Sequence, residues 1–496
     1  MAVKVDTQKE IIFGSSDPNI SRVISKKKKD GELRKLAPRI YTTNLIDSPA
    51  NIVRRNLIEI LAYRYPNALI SHRSAKEMRP TSTGDFFLTN LTARRVTDLP
   101  GIILNFVKGP KATAHDIPFM GMHISGEHRY MLENMQLSRK SGDESRVLPI
   151  SVIENKLEQL LLTGGEERLN QYRDELREVA NELGMADEFS KINNIISALL
   201  STHDARVLST DSAKARASGN PFDANRVGLF EILFDTIKDR YFVIRNNRNT
   251  DEDSFRLFSF FESYFSNYIE GTEFDIEEAK EIVDSGIPMP RRDEDSHDIL
   301  GTFKILSNRT EMRRVPTSPE ELFAILSHRH TILLEGRPHM NPGVFKMRNN
   351  RAGQTEFVDY QLVKGTLSQG FKYYSALTDP FARAIFMMFM ISEVHPFNDG
   401  NGRIARVMMN AEFVRADQSR IIVPTVFRED YILALRKLTR HKDPMAYINV
   451  MTKLHQFSDN LYGTDFTELK NYLAACNAYE EPSQAKLQII DRSIRH

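Results

Sequence analysis

A single cysteine, Cys476, is the whole thiol inventory of this 496-residue chain, so no internal disulfide and no cysteine-rich zinc site is expected. That scarcity fits a reducing cytoplasm. Neither HExxH nor CxxC occurs, and His328-Arg329-His330 lacks carboxylate or cysteine partners at ligand spacing, which disfavours a zinc enzyme. Long apolar runs are missing too. The longest, AIFMMFMI from Ala384 to Ile391, is far too short to span a bilayer and reads as a buried helix, so no membrane partner is expected. The opening MAVKVDTQKEIIFG has no apolar stretch behind a basic start and does not read as a secretory signal. Charge of one sign is absent as well: 67 Lys and Arg face 66 Asp and Glu, so no global pull towards nucleic acid or membrane follows. No internal repeat or heptad array is found.

What is present is a 41% hydrophobic chain long enough for two to four compact units. Residues 1–55 hold twelve basic and six acidic side chains. Within them, SRVISKKKKDGELRKLAPRIYTT reads as a helix end, a turn at Asp30-Gly31 and a strand pair. That layout is a winged helix-turn-helix, which makes residues 1–60 a candidate DNA-binding unit. Lys26 to Lys29 equally suit a solvated helix end, where cations meet the helix dipole. Short β-rich runs, DFFLTN and GIILNFV, predict a small α+β unit over residues 61–125. Apolar residues three and four apart predict helices over 151–205 and again over 227–285, separated by a polar linker at 204–223. A second linker is read at 286–298, then a core at 297–457 and a helical tail at 458–496. Ser318-Pro319-Glu320-Glu321 predicts a helix start, with a serine cap and proline in first position.

The most informative segment is His395-Pro396-Phe397-Asn398-Asp399-Gly400-Asn401-Gly402-Arg403-Ile404-Ala405-Arg406. The apolar helix before it should stop at His395, because a residue preceding proline avoids helical dihedrals. Gly400-Asn401-Gly402 permits a tight turn at the start of the next helix, whose converging N–H groups suit phosphate. Arg403 and Arg406 share a helix face and offer guanidinium forks to phosphate oxygens. Asp399 would repel phosphate unless a divalent cation bridged them, which points to Mg2+. His395 is placed to take a proton from an attacking hydroxyl. Together these features describe transfer of a phosphoryl-linked group to a hydroxyl.

This segment resembles the signature of the Fic family, HPFx[DE]GNGRxxR, at all nine of its specified positions. The resemblance implies a mainly α fold: a helical core with a β-hairpin flap, preceded here by a smaller α+β winged-helix-like region. It implies ATP as co-substrate, AMP transfer to a Ser, Thr or Tyr hydroxyl of a target protein, and self-modification. It implies His395 as base, Asp399 as magnesium ligand, Gly400, Asn401 and Gly402 around the inner phosphates, and Arg403 and Arg406 on the outer ones. Phe397 reads as a core anchor. Residues Pro342–Arg348 and Thr355–Val358, flanking Asn349–Gln354, read as the flap that aligns the target by strand addition.

Many Fic proteins carry an inhibitory helix with the pattern [ST]xxxE[GN], whose Glu pairs with the second arginine of the signature. It occurs twice here, at Ser266–Glu270–Gly271 and Thr331–Glu335–Gly336. The first is the better candidate, because FFESYFSNYIEG ends a helix ahead of the core with Gly271 as a stop. The N-terminal half is also similar to winged-helix antitoxins of the AbiEi type, through GELRKLAPRIYTT, LISHRSA and DLPGIIL. Two alternatives follow: the reverse net reaction, with Glu270 positioning water to remove AMP, and a DNA-binding regulator in which the Fic part is secondary.

Overall fold

The computed structural model describes residues 9–200, 205–353 and 355–492; the ends of the expected first and last units, residues 201–204 and Gln354 of the expected flap loop lie outside the described residues. The chain divides into two compact units, Met1–Ser218 and Gly219–His496.

The first unit opens with β1 (Ile11–Phe13), followed by α1 (Pro18–Lys29), whose Asp17 carboxylate caps the Asn19 N–H at 2.8 Å. β2 (Arg34–Ala37) and β3 (Ile40–Thr42) then complete an antiparallel sheet of order β1-β3-β2. The helix, turn and strand pair read from the sequence are all there. α2 (Pro49–Arg55), α3 (Leu57–Arg64), β4 (Leu69–Ile70) and α4 (His72–Glu77) lead into β5 (Asp85–Asn90), β6 (Arg94–Leu99), β7 (Ile102–Lys108), β8 (Ile117–Phe119) and β9 (Met122–Ile124). These six strands, β4 to β9, form one mixed sheet in the order β6-β7-β5-β4-β9-β8. One apolar cluster runs from Ile11 through Ile40, Ile52 and Ile60 to Phe86, Leu104 and Met122. It crosses the boundary expected at 60/61, because the buried faces of α2 and α3 are shared by both sheets. A second cluster, from Tyr130 to Ala213, joins α5 (Glu127–Glu133), α6 (Ile150–Leu183), α7 (Ala186–Leu199) and α8 (Asp211–Ala217). The last of these helices occupies part of the segment read as a linker.

The second unit is a helical assembly. α9 (Ala224–Ile237), α10 (Glu252–Ile269) and α11 (Ile276–Ser285) precede α12 (Asp293–Leu306). The expected linker therefore ends at Arg292: Asp293, Glu294 and Asp295 form an acidic first turn, which favours a helix N-terminus rather than a loop. After the short α13 (Arg309–Met312), Ser318 caps α14 (Pro319–Leu333) by accepting from the Glu321 N–H at 3.2 Å. β10 (Arg351–Ala352) and β11 (Thr355–Glu356) make the hairpin, two residues to a strand, so the flap is shorter than read and its first strand lies beyond residue 348. α15 (Val363–Ala376), α16 (Pro380–Val394), α17 (Asn401–Arg415), α18 (Arg428–His441), α19 (Pro444–Ser458) and α20 (Phe466–Ala475) follow. Among the described residues of the tail expected to be helical, beyond the end of α19 at Ser458, only α20 forms a helix. Every residue of AIFMMFMI is fully buried in α16, and no helix among the described residues is long and apolar enough to cross a membrane. Phe255 of α10, Ile305 of α12, Leu333 of α14 and Val407 of α17 share one core, which fixes those helices against one another.

Candidate active site

The loop between α16 and α17 is built by over-determination. α16 ends at Val394 as proline requires, but His395 adopts the left-handed conformation (φ 51°, ψ 61°) and not the extended one expected before proline. Such a backbone costs roughly 1–3 kcal/mol and persists only where its surroundings enforce it. Here they do. Phe397 is fully buried, its ring stacked on His330 at 3.7 Å and tilted against Phe345 at 5.2 Å. Its N–H donates to Asn401 Oδ1, and its carbonyl accepts from Asn401 Nδ2 and Asn350 Nδ2, all at 2.9 Å. The Pro396 carbonyl accepts from the Lys346 N–H at 2.8 Å. Asn401 thus braces the loop with its side chain instead of lying in a strained turn. Only Gly400 of the three turn residues takes a positive φ, 70°, and Asn401 and Gly402 already belong to α17.

The His395 ring is oriented from both sides. Its Nδ1 lies 3.3 Å from the Ser392 carbonyl, which can only accept, so Nδ1 carries the proton and Nε2 keeps its lone pair. Phe357 of the flap stacks flat on the ring at 3.6 Å and 4°. Burial pulls the imidazole down to about 4, with the nearby Lys346 charge adding to it, so the ring is neutral at ordinary pH. Lys346 is itself buried, its Nζ donating to Asn350 Oδ1 at 2.7 Å, and burial lowers it to about 8.

Two buried arginines stand at the start of α17. Arg403 Nη1 binds Asp298 of α12 at 2.7 Å and Asn267 of α10 at 3.3 Å, and its Nη2 lies 3.7 Å from Asp399. Its Nε is buried without a partner. Arg406 donates to the Ser266 hydroxyl at 3.0 Å, to the Ser266 carbonyl at 2.8 Å and to Glu270 Oε1 at 2.7 Å. The Glu270 carboxylate also reaches over the backbone of Gly402, where any Cβ would collide with Oε1. An intramolecular carboxylate therefore occupies the place where a helix N-terminus and a guanidinium favour an anion. Glu335, of the second pattern match, is exposed at the surface and pairs with Lys304 at 3.3 Å.

Asp399 keeps a half-exposed carboxylate beside this anion site. One carboxylate, held only at 3.7 Å by Arg403, suits Mg2+, which draws its remaining oxygens from phosphate and water. No group of three or more His, Cys, Asp or Glu able to hold a metal stands among the described residues.

Several residues here escaped the sequence reading. Asp298 fell in the supposed linker, and Asn267 occupies an unspecified position of the inhibitory pattern. His330 was weighed only as a zinc ligand. Its Nδ1 accepts the Gly343 N–H at 2.8 Å, so its Nε2–H donates to the Asp399 carbonyl at 3.0 Å, and burial holds it neutral at about 4. The acidic run at 293–295 was the signal that could have found α12, since such runs mark helix starts.

Residues 318–412 match the Fic/DOC family model. The protein adenylyltransferase fic-1 of Caenorhabditis elegans is 30% identical over 115 residues, covering 23% of this chain and 22% of that protein. The protein adenylyltransferase Fic of Nematostella vectensis is 24% identical over 214 residues, covering 40% and 47%. A Fido domain-containing protein of Dictyostelium discoideum is 28% identical over 107 residues, covering 21% and 75%. The chain thus spans less than half the length of the adenylyltransferases it matches. Among solved structures, Fic-1 (residues 134–508) of C. elegans aligns with 66% of this chain and 92% of its own, at 16% identity and a TM-score of 0.36. A Fic domain-containing signaling protein from Bacteroides thetaiotaomicron aligns with 48% and 94%, at 16% identity and a TM-score of 0.37. The chain carries a Fic-domain module at 318–412, preceded by a larger region with mixed α and β structure. Ser266, Glu270 and Asp298 lie outside the matched span.

Proposed function

We propose that the second unit transfers AMP from ATP to a hydroxyl of a protein target and that Glu270 restrains the reaction. The observation that carries this reading is the Glu270 carboxylate seated between Gly402 and Arg406, an acid of the chain itself filling an anion site. In the reaction, the His395 Nε2 lone pair takes the hydroxyl proton. The hydroxyl oxygen bonds to the α-phosphorus, the bond from that phosphorus to the bridging oxygen breaks, and pyrophosphate leaves. The free N–H groups at the start of α17 hold the phosphates, since the first turn of a helix has donors without intrahelical acceptors. Asp399 would hold Mg2+, which when bound offsets phosphate charge. Arg406 is the group for which Glu270 and the outermost phosphate compete. One charged hydrogen bond, worth about 1.5–3 kcal/mol, is enough to keep most molecules closed.

The test is to incubate the full chain with ATP labelled at the α- or the γ-phosphate. Glu270→Gly should label itself from the α-position about 10- to 150-fold faster than the parent, the factor equivalent to the lost bond. Glu335→Gly, changed at a surface pair, should not. Label carried from the γ-position would show phosphorylation instead and end this reading.

A further inference from the structure

Several exposed cations of the second unit are matched by carboxylates: Lys238 by Asp235, Lys304 by Glu335 and Arg313 by Asp417. Others, such as Arg256 and Arg415, are exposed without an ion pair among the described residues; what sets the hairpin apart is that several such cations lie together. Arg348 and Arg351 at the hairpin, with Arg436, Lys437 and Arg440 towards the end of α18, are all exposed, and none of the five makes an ion pair among the described residues. The two groups meet: Arg440 Nη2 donates to Thr355 Oγ1 on β11 at 3.1 Å. Residues 436, 437 and 440 are three and four apart and so share one face of the helix. The same hairpin leads to the base, because Phe357, directly after β11, stacks on His395.

Negative charge nearby is sparse or engaged. Glu356 faces Arg351 in the hairpin register and offsets that cation in part, Asp359 accepts from Asn349 at 2.7 Å, and Asp443, just past α18, caps the next helix by accepting from the Met445 N–H at 3.0 Å. Glu429 and Asp430 lie at the opposite end of α18, roughly 15 Å from Arg440 at the rise of a helix. A cluster in which exposed cations outnumber the carboxylates beside them attracts an acidic partner, raises its encounter rate and rejects basic ones.

We propose that this basic rim is the surface on which the target docks, and that the target presents an acidic segment there, with Asp or Glu side chains close to the hydroxyl that is modified. The proposal rests on the transferase reading and narrows its substrate class.

Two fluorescein-labelled peptides provide the test, one with a threonine flanked by Asp and Glu, the other with the same threonine flanked by Lys. Each is titrated with the full chain carrying Glu270→Gly, and binding is followed by anisotropy. The acidic peptide should bind more tightly, and its affinity should fall as salt is raised. Reversing two rim charges, Arg436→Glu with Lys437→Glu, should weaken it about tenfold, the sum of several exposed charge pairs turned from attraction to repulsion. These side chains are exposed and unpaired, so their reversal spares the fold. Equal binding of the two peptides, or a loss below about threefold in the double variant, overturns the proposal. Self-labelling of the same Glu270→Gly chain from α-labelled ATP is read alongside. Peptide preference without self-labelling fails the transferase reading, whereas self-labelling without peptide preference fails the docking proposal.

Discussion

At the scale of residues, the site works through groups denied their usual freedom. His395 is held neutral by burial, with its pKa near 4 and its proton fixed on Nδ1. A base must be unprotonated, so transfer should be lost only as pH falls towards about 4 and should be level around neutrality. The measurement is single-turnover labelling against pH in the Glu270→Gly chain. A decline centred at about 6.5, the value of an ordinary imidazole, would contradict the role of burial. His395→Ala should abolish label transfer yet retain nucleotide binding, because in the proposed reaction affinity is assigned to the start of α17 and not to the imidazole. Gly402 gives a sharper contrast. A methyl group there strikes Glu270 Oε1 and lies 3.2 Å from Arg406 Nη1. Gly402→Ala should therefore displace the carboxylate without activating the chain, since the methyl fills the space a phosphate needs. Titration with a fluorescent ATP analogue should show weakened binding, and self-labelling above the parent would refute the shared-place interpretation.

At the scale of elements, α12 is the unexpected support. Asp298 is buried and receives both Arg403 at 2.7 Å and Arg337 at 2.9 Å. Asp298→Ala leaves a buried guanidinium without the nearer of its two counter-charges, a loss typically of about 3–5 kcal/mol, and should lower the urea midpoint accordingly. A change below about 1 kcal/mol would mean that Asn267 and solvent suffice for Arg403. The sequence disclosed these elements unevenly. The segment His395–Arg406 was legible because its chemistry is local: proline ends one helix, Gly400 opens the next, and both arginines fall on one face by spacing alone. The pairing of Glu270 with Arg406 was expected only through resemblance, since no periodicity links residues 136 apart. Asp298 was missed for the opposite reason. An acidic run beside prolines reads as a linker until the partner more than a hundred residues away is in place. The left-handed turn at His395 was hidden as well, because its cost is met by Phe397, His330 and Asn350, contacts that no local rule supplies. The hairpin was found but misaligned, as two-residue strands leave almost no alternation to read.

At the scale of the molecule, the division at residue 218 separates every residue of the site from the first unit. The two apolar clusters of residues 11–122 and 130–213 lie wholly before that point, and the cluster joining α10, α12, α14 and α17 lies wholly after it. A fragment of residues 219–492 carrying Glu270→Gly should therefore fold cooperatively and label itself at a rate close to that of the full chain. Loss of labelling by a folded fragment would assign the first unit a direct part in catalysis. The seat of Glu270 over Gly402 has one more consequence. An inhibitor borne by the same chain has no concentration of its own, so dilution of the protein or turnover of a partner cannot lift it. If Glu270 restrains the site as proposed, its rival for Arg406 is a diffusing nucleotide, whose grip is discounted by the fraction of molecules that stand open. A chain wired in this way would report the abundance of its own co-substrate: half-maximal output would fall at a nucleotide level set by the strength of one carboxylate–guanidinium contact, and each weakening of that contact would move the set point down.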